Sequence, residues 1–92
     1  MKFSFMVRTA DYKQELEIQT SNRLGATPSE LDRYTILMIL GNVYTQPLSV
    51  TVEPCVSNEE VSFVTIETSC DSYLQAAARY CLAREFVPPA IQ

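Results

Sequence analysis

The sequence predicts an α+β domain of order ββαββα, a four-stranded antiparallel sheet with two helices packed on one face. Three observations point there. Phe3, Phe5 and Val7 alternate with Lys2, Ser4, Met6 and Arg8, the period-two pattern of a strand with one buried face. Thr27-Pro28-Ser29-Glu30 carries the signature of a helix start. The same pattern of two short strands and then a helix recurs in residues 2–45 and in residues 48–87. With 92 residues, the chain reads as a single compact domain, since one hydrophobic core normally takes on the order of 100 residues. The two halves share element order without residue-level identity, so chance recurrence explains them better than duplication.

The first strand covers about residues 2–9. Thr9 to Lys13 reads as a polar hairpin connection, after which Leu16 and Ile18 alternate with Glu15, Glu17 and Gln19. That alternation predicts a second strand, antiparallel to the first. Thr20 to Ala26 mixes turn formers with Gly25 and marks a loop. The first helix follows. Thr27 can accept from the amide of Glu30, Glu30 can reach back, and Pro28 at the first helical position loses no needed donor. It continues through Leu31 and Tyr34 into Ile36-Leu37-Met38-Ile39-Leu40, with Gly41-Asn42 near its end and Pro47 as a stop. On a helical wheel, these apolar side chains cover nearly the whole circumference instead of one stripe.

Leu48, Val50 and Val52 alternate with Ser49, Thr51 and Glu53 before Pro54, a third strand that the proline limits. Ser57-Asn58-Glu59 supplies a turn. In the fourth strand, Val61 to Glu67, Val61 and Phe63 share one face while Val64 and Ile66 share the other. Either a β-bulge near Phe63 or cover on both sides accommodates that slip. The second helix begins near Thr68 or Ser69, with Asp71 among its first-turn amides. Its core stripe is Cys70, Tyr73, Leu74, Ala77, Tyr80 and Cys81, and Pro88-Pro89 ends it, leaving an extended tail over residues 88–92. The sheet's other face, with Lys2, Ser4, Arg8, Glu15, Glu17, Gln19, Ser49, Thr51 and Glu53, is expected to be wet.

Composition narrows the function. The net charge is −4 and seven basic residues are scattered without a run, whereas phosphate binding draws on clustered Lys and Arg. Nucleic acid is therefore disfavoured and a basic protein partner favoured. The longest apolar run, Ile36 to Leu40, is far short of the roughly 20 residues that span a bilayer, so no membrane association is expected. Arg8 and Asp11 interrupt the apolar N-terminal stretch before it reaches signal-peptide length, which predicts a cytoplasmic protein.

Catalytic and cofactor signals are weak. The chain has no histidine, which removes the commonest general base and the Ser-His and Cys-His nucleophilic pairs. Gly25 and Gly41 are its only glycines, too few for a phosphate-cradling loop. Cys55, Cys70 and Cys81 lack the short spacings of a structural zinc site. On one helix, Cys70 and Cys81 would stand roughly 16 Å apart, beyond disulfide reach, so small buried thiols are the better account. The acidic flanks of Cys55 should raise its pKa, against thiolate chemistry. Glu15 and Glu17 would lie on one side of a strand, roughly 7 Å apart, but solvated outward charge explains them better than an acid-base pair. No catalytic residue, metal or cofactor is assigned, and the chain is not expected to be an enzyme.

What remains is surface. A two-layer domain buries one face of each helix, so Ile36, Met38, Ile39 and Leu40 cannot all meet one sheet. Either the second helix and the loops cover the remainder, or another molecule does. Tyrosine combines apolar area with a polar tip and is enriched at interfaces. Tyr12 in the expected hairpin turn is the best candidate for an exposed contact, with Tyr34 and Tyr44 beside the first helix and Glu15 and Glu17 on the acidic strand. These residues predict a cytosolic protein-protein interaction module, a small inhibitor or regulator of the kind viruses often encode, that self-associates through the first helix as a homodimer. The alternative is a small-molecule-binding domain with an apolar pocket between sheet and helices, lined by Phe3, Phe5, Phe63 and tyrosines.

Overall fold

The computed structural model describes residues 1–41 and 48–91. Six elements follow in the order β1 (Lys2–Arg8), α1 (Thr9–Asn22), α2 (Pro28–Ile39), β2 (Leu48–Pro54), β3 (Val61–Thr68) and α3 (Ser72–Ala83). The chain is α+β with one antiparallel sheet, of strand order β1-β3-β2. The expected four strands and two helices are corrected to three strands and three helices among the described residues.

The correction lies in residues 9–22, expected to hold a hairpin turn and a second strand and found as α1. Only two apolar residues, Leu16 and Ile18, supported the strand. The surrounding Ala, Lys, Gln and Glu residues are good helix formers, and a two-residue alternation does not outweigh them. The inward face of α1 is polar: Tyr12, Glu15 and Leu16 are half-buried and Gln19 is buried, spaced three and four apart as a helix requires. The stripe is helical in period but not in hydrophobicity, and so left no apolar signature.

With α1 taken out of the sheet, β1 pairs with β3 instead, Lys2 opposite Glu67 through to Arg8 opposite Val61. β3 in turn pairs with β2 from Leu48 opposite Thr68 to Pro54 opposite Ser62. The register on β3 is unbroken, so of the two alternatives for its slipped pattern the bulge near Phe63 is absent, and with Phe63 exposed the strand is not covered on both sides there. Its apolar alternation slips for another reason. Ser62 and Thr68 are buried on the core face, and Ser62 is satisfied there by the Thr9 hydroxyl at 2.8 Å. Phe63 faces the opposite side.

The core fills one side of the sheet. Phe3, Phe5 and Val7 from β1 and Val64 and Ile66 from β3 meet Ile36 and Leu37 of α2, Leu40 at its C-cap, and Tyr73, Ala76, Ala77, Tyr80 and Cys81 of α3. The alanines of α3 let its backbone sit close to β1. Helix α2 packs on β2 and is covered on another side by α1. Its wide apolar surface is thereby largely absorbed within the molecule, and Met38, 49% exposed, is its large apolar residue left in solvent.

Capping differs from helix to helix. Thr27 accepts from the Glu30 amide at 3.2 Å and its hydroxyl donates to the Glu30 carboxylate at 3.0 Å, as the sequence predicts. Helix α3 starts later than expected, at Ser72, and Asp71 at its N-cap makes no side-chain capping bond. At its other end, Phe86 donates to the Cys81 carbonyl at 2.8 Å and Glu85 to the Leu82 carbonyl at 3.3 Å, the paired bonds of a Schellman cap. Glu85 occupies the left-handed position, with φ of 62°, where a side chain is strained and glycine is not. Glu85→Gly is expected to raise stability by about 1 kcal/mol, read as a higher urea midpoint. An unchanged or lower midpoint would show that the turn carries no such strain.

Among the described residues, no helix is long and apolar enough to cross a membrane.

Candidate functional site

The helices leave one face of the sheet open, and the strand register decides what stands on it. Side chains directly opposite one another share a face, so the open face carries Lys2, Ser4, Met6 and Arg8 on β1, Val61, Phe63, Thr65 and Glu67 on β3, and Ser49, Thr51 and Glu53 on β2. Its rows are graded. Lys2, Glu67 and Ser49 form a charged end. Ser4, Thr65 and Thr51 form a hydroxyl row, with the Ser4 and Thr65 hydroxyls 2.9 Å apart. Met6 sits opposite Phe63 at the apolar centre, and Glu53 flanks it. Phe63 is 43% exposed, a large ring left in water by the fold.

The segment after α3 frames this centre. Ile91 makes an antiparallel bridge to Phe3, so the tail runs along the outer edge of β1. Between it and the sheet lies a groove of about 320 Å³, walled by Val87 to Ile91 on one side and by Met6 and Phe63 on the other. Its lining is predominantly apolar, and Pro88 and Pro89 give that wall two positions without an N–H.

The polar clusters elsewhere are internally engaged. At the junction of β1, α1 and α3, the Tyr80 hydroxyl donates to Asp11 at 2.8 Å and accepts from the Arg8 amide at 3.1 Å. The Arg84 guanidinium also reaches Asp11, at 3.2 Å, and lies over the Tyr80 ring. Burial pushes the Tyr80 phenol up to about 12, with Asp11 adding to the rise. A groove of about 260 Å³ opens beside this node, between Gln14, Glu15 and Ile18 of α1 and Ile39 of α2. On α1, Gln19 donates to Glu15 at 2.9 Å and accepts from Arg23 at 2.9 Å. Arg23 continues onto the face of Tyr34, 3.5 Å from its centroid, and Arg33 approaches the same ring at 5.0 Å.

The sequence-predicted contact residues are not brought together. Tyr12 is half-buried in α1, and its hydroxyl donates to Asp32 of α2. Burial first, and this bond second, hold its phenol above the usual range. It is an internal tie, not an exposed turn residue. Arg23 and Arg33 both approach the Tyr34 ring, Ile36 and Leu40 belong to the core, and Ile39 packs against it. Met38 alone of the α2 set is freely exposed. Tyr44 lies outside the described residues. Glu15 and Glu17 stand on a helix, so they diverge instead of sharing a side. Sequence reasoning missed Met6 and Phe63 as neighbours because they belong to strands 57 residues apart in number, and only the order β1-β3-β2 joins them.

The expected pocket lining is separated too: Phe3, Phe5 and Tyr73 are packed in the core, while Phe63 faces away from it. Among the described residues, no group of three His, Cys, Asp or Glu side chains is placed to hold a metal. All three cysteines are free, with only Cys81 buried, which corrects the expectation that all would be. The Ser57 hydroxyl, 3.4 Å from Cys55 Sγ, lowers that thiol's pKa, the reverse of the rise expected from its acidic flanks. Burial raises that of Cys81. Compared with protein-family models, with curated proteins and with solved structures, the chain matches none.

Proposed function

We propose that this chain is a non-catalytic protein-interaction module, a small inhibitor or regulator, that engages a partner protein with the open face of its sheet. The observation that carries the reading is Phe63, large, apolar and 43% exposed, beside Met6 in a groove whose other wall is the C-terminal segment. Exposed apolar centres with a polar rim are the usual anatomy of a protein contact. The rim mixes Glu53 and Glu67 with Lys2 and Arg8, which suits an apolar partner segment with charges of both signs around it. The chain's net charge of −4 favours a basic partner overall. Three free thiols support a reducing, cytoplasmic setting.

Phe63→Asp is the test, because an exposed position tolerates the change while the apolar centre is lost. A partner captured stoichiometrically by the wild-type chain from its native cells should be bound at least roughly ten-fold more weakly by the variant, the scale of a single anchoring residue. Leu82→Asp, on exposed α3 surface at 63%, should leave binding intact. Equal binding by wild type and Phe63→Asp would remove the open face from consideration.

A further inference from the structure

The sheet has two outer edges, and they differ. Ile91 bridges the edge of β1, whereas no described strand pairs with the outer edge of β2. The backbone shows which groups that edge presents. Cys55 donates its N–H to the Val61 carbonyl at 3.3 Å, one step beyond the register in which Pro54 faces Ser62. In an antiparallel ladder a residue sends its N–H and C=O to the same side, and its neighbours send theirs to the other. Glu53, Thr51 and Ser49 therefore bond to β3, while Leu48, Val50 and Val52 each turn a donor and an acceptor outward. Pro54 falls on an outward position, where its missing N–H costs β3 nothing.

Pro54 and Glu53 guard only the far end of β2, and Leu48 to Val52 leave the rest of the edge without charge or proline. The strand has no lysine and no bulge, and its register with β3 is continuous over 7 residues, in contrast to the devices that protect edge strands. It is also self-complementary. We propose that a second copy of this chain pairs with β2, antiparallel, about a two-fold axis passing beside Thr51, making one sheet continuous through both molecules. Val50 then stands opposite the partner's Val52, Leu48 opposite the partner's Pro54, Thr51 opposite its own copy and Ser49 opposite the partner's Glu53. The β-branched and Thr-Thr pairs are favourable cross-strand neighbours, and the strand's one charge meets a hydroxyl instead of a like charge. This alignment keeps both cores on the same side of the joined sheet. A shift by one residue would set valine against threonine and invert the faces.

Charge at position 49 tests the pairing, because Ser49 is exposed and its substitution leaves the single chain intact. In sedimentation equilibrium, Ser49→Lys should tighten the dimer about five-fold by adding two Lys-Glu cross-strand pairs, and Ser49→Glu should loosen it by about as much. Val52→Pro removes an outward donor without touching the β3 ladder and should give a monomer, its fold checked by circular dichroism. The register has its own readout. Thr51 and its copy form a pair without mutual hydrogen bonds, about 4.5 Å between α-carbons, within disulfide reach. In a Cys55→Ser background, Thr51→Cys should oxidise to a covalent dimer and Glu53→Cys should not. A single-chain mass at every concentration, a dimer indifferent to charge at 49, or equal cross-linking at 51 and 53 would overturn the proposal.

Discussion

Phe3→Ala is expected to remove about 4 kcal/mol of stability, within the range for deleting a buried aromatic ring. A domain of this size holds roughly 5–15 kcal/mol in all, so the variant should unfold at low denaturant or be partly unfolded in buffer. The size follows from position. Phe3 is 0% exposed, its ring stacks on that of Phe5 with 6.1 Å between centroids, and it stands opposite Ile66 on the central strand. Its backbone also receives the bridge from Ile91, so the cavity would open beneath the segment that borders the proposed binding groove. Phe63→Ala is the matched control, the same ring on the same sheet but on the other face, and should cost about 1 kcal/mol or less, because a half-exposed side chain leaves no sealed void. Urea midpoints of the two variants decide the matter. Similar losses from both would mean that the faces of β3 are misassigned.

The second large effect is alkaline. Tyr80 is 5% exposed, and burial raises its phenol from an ordinary 10 to about 12. The neutral phenol is the form that the fold favours, so its contribution is complete below pH 10 and is lost as the pH rises through 10 to 12. A shift of this size corresponds to roughly 3 kcal/mol across that window. Tyr12 is displaced in the same direction and should steepen the loss. Stability measured by denaturant titration should therefore fall most steeply above pH 10, after a gentler decline that begins near pH 9 as the buried Cys81 thiol is called on to ionise. Tyr80→Phe should start lower, having lost the bonds to Asp11 and the Arg8 amide, but should decline with a shallower slope. An identical slope in the variant would show that Tyr80 does not titrate with unfolding.

The strands and the α2 cap were legible because each is local. Phe3, Phe5 and Val7 turn inward as their alternation requires, and Thr27 caps the helix that Pro28 opens. Helix α1 was not legible, since its buried stripe is Tyr12, Glu15, Leu16 and Gln19, and polar residues satisfied by Asp32 and Arg23 resemble solvated ones until their partners are known. That single misreading had consequences. With residues 15–19 placed in the sheet, the apolar surface of α2 was left to the other helix and the loops or to a second molecule, whereas α1 itself covers much of it. The open-face centre was hidden for a different reason. Met6 and Phe63 each read as an ordinary or even anomalous alternation, and only the pairing of β1 with β3 makes them neighbours. Strand order depends on contacts between distant residues, and no local pattern encodes it.

That strand order also fixes a sequence of events in time. The central strand is the last of the three along the chain, and neither β1 nor β2 touches the other, so a nascent chain that has not yet released residues 61–68 holds two strands with no ladder between them. The Ser4–Thr65 hydroxyl contact alone closes a loop of 61 residues. Contacts that distant must be formed against the full entropy of the intervening chain, which slows folding relative to a hairpin-built sheet. The helix pair α1–α2 can assemble early, while the sheet and the core beneath it wait for β3. Until then the apolar side of β1 lacks its β3 neighbour and the core beneath the sheet is incomplete, so the interval before β3 arrives is when the chain is most exposed to aggregation.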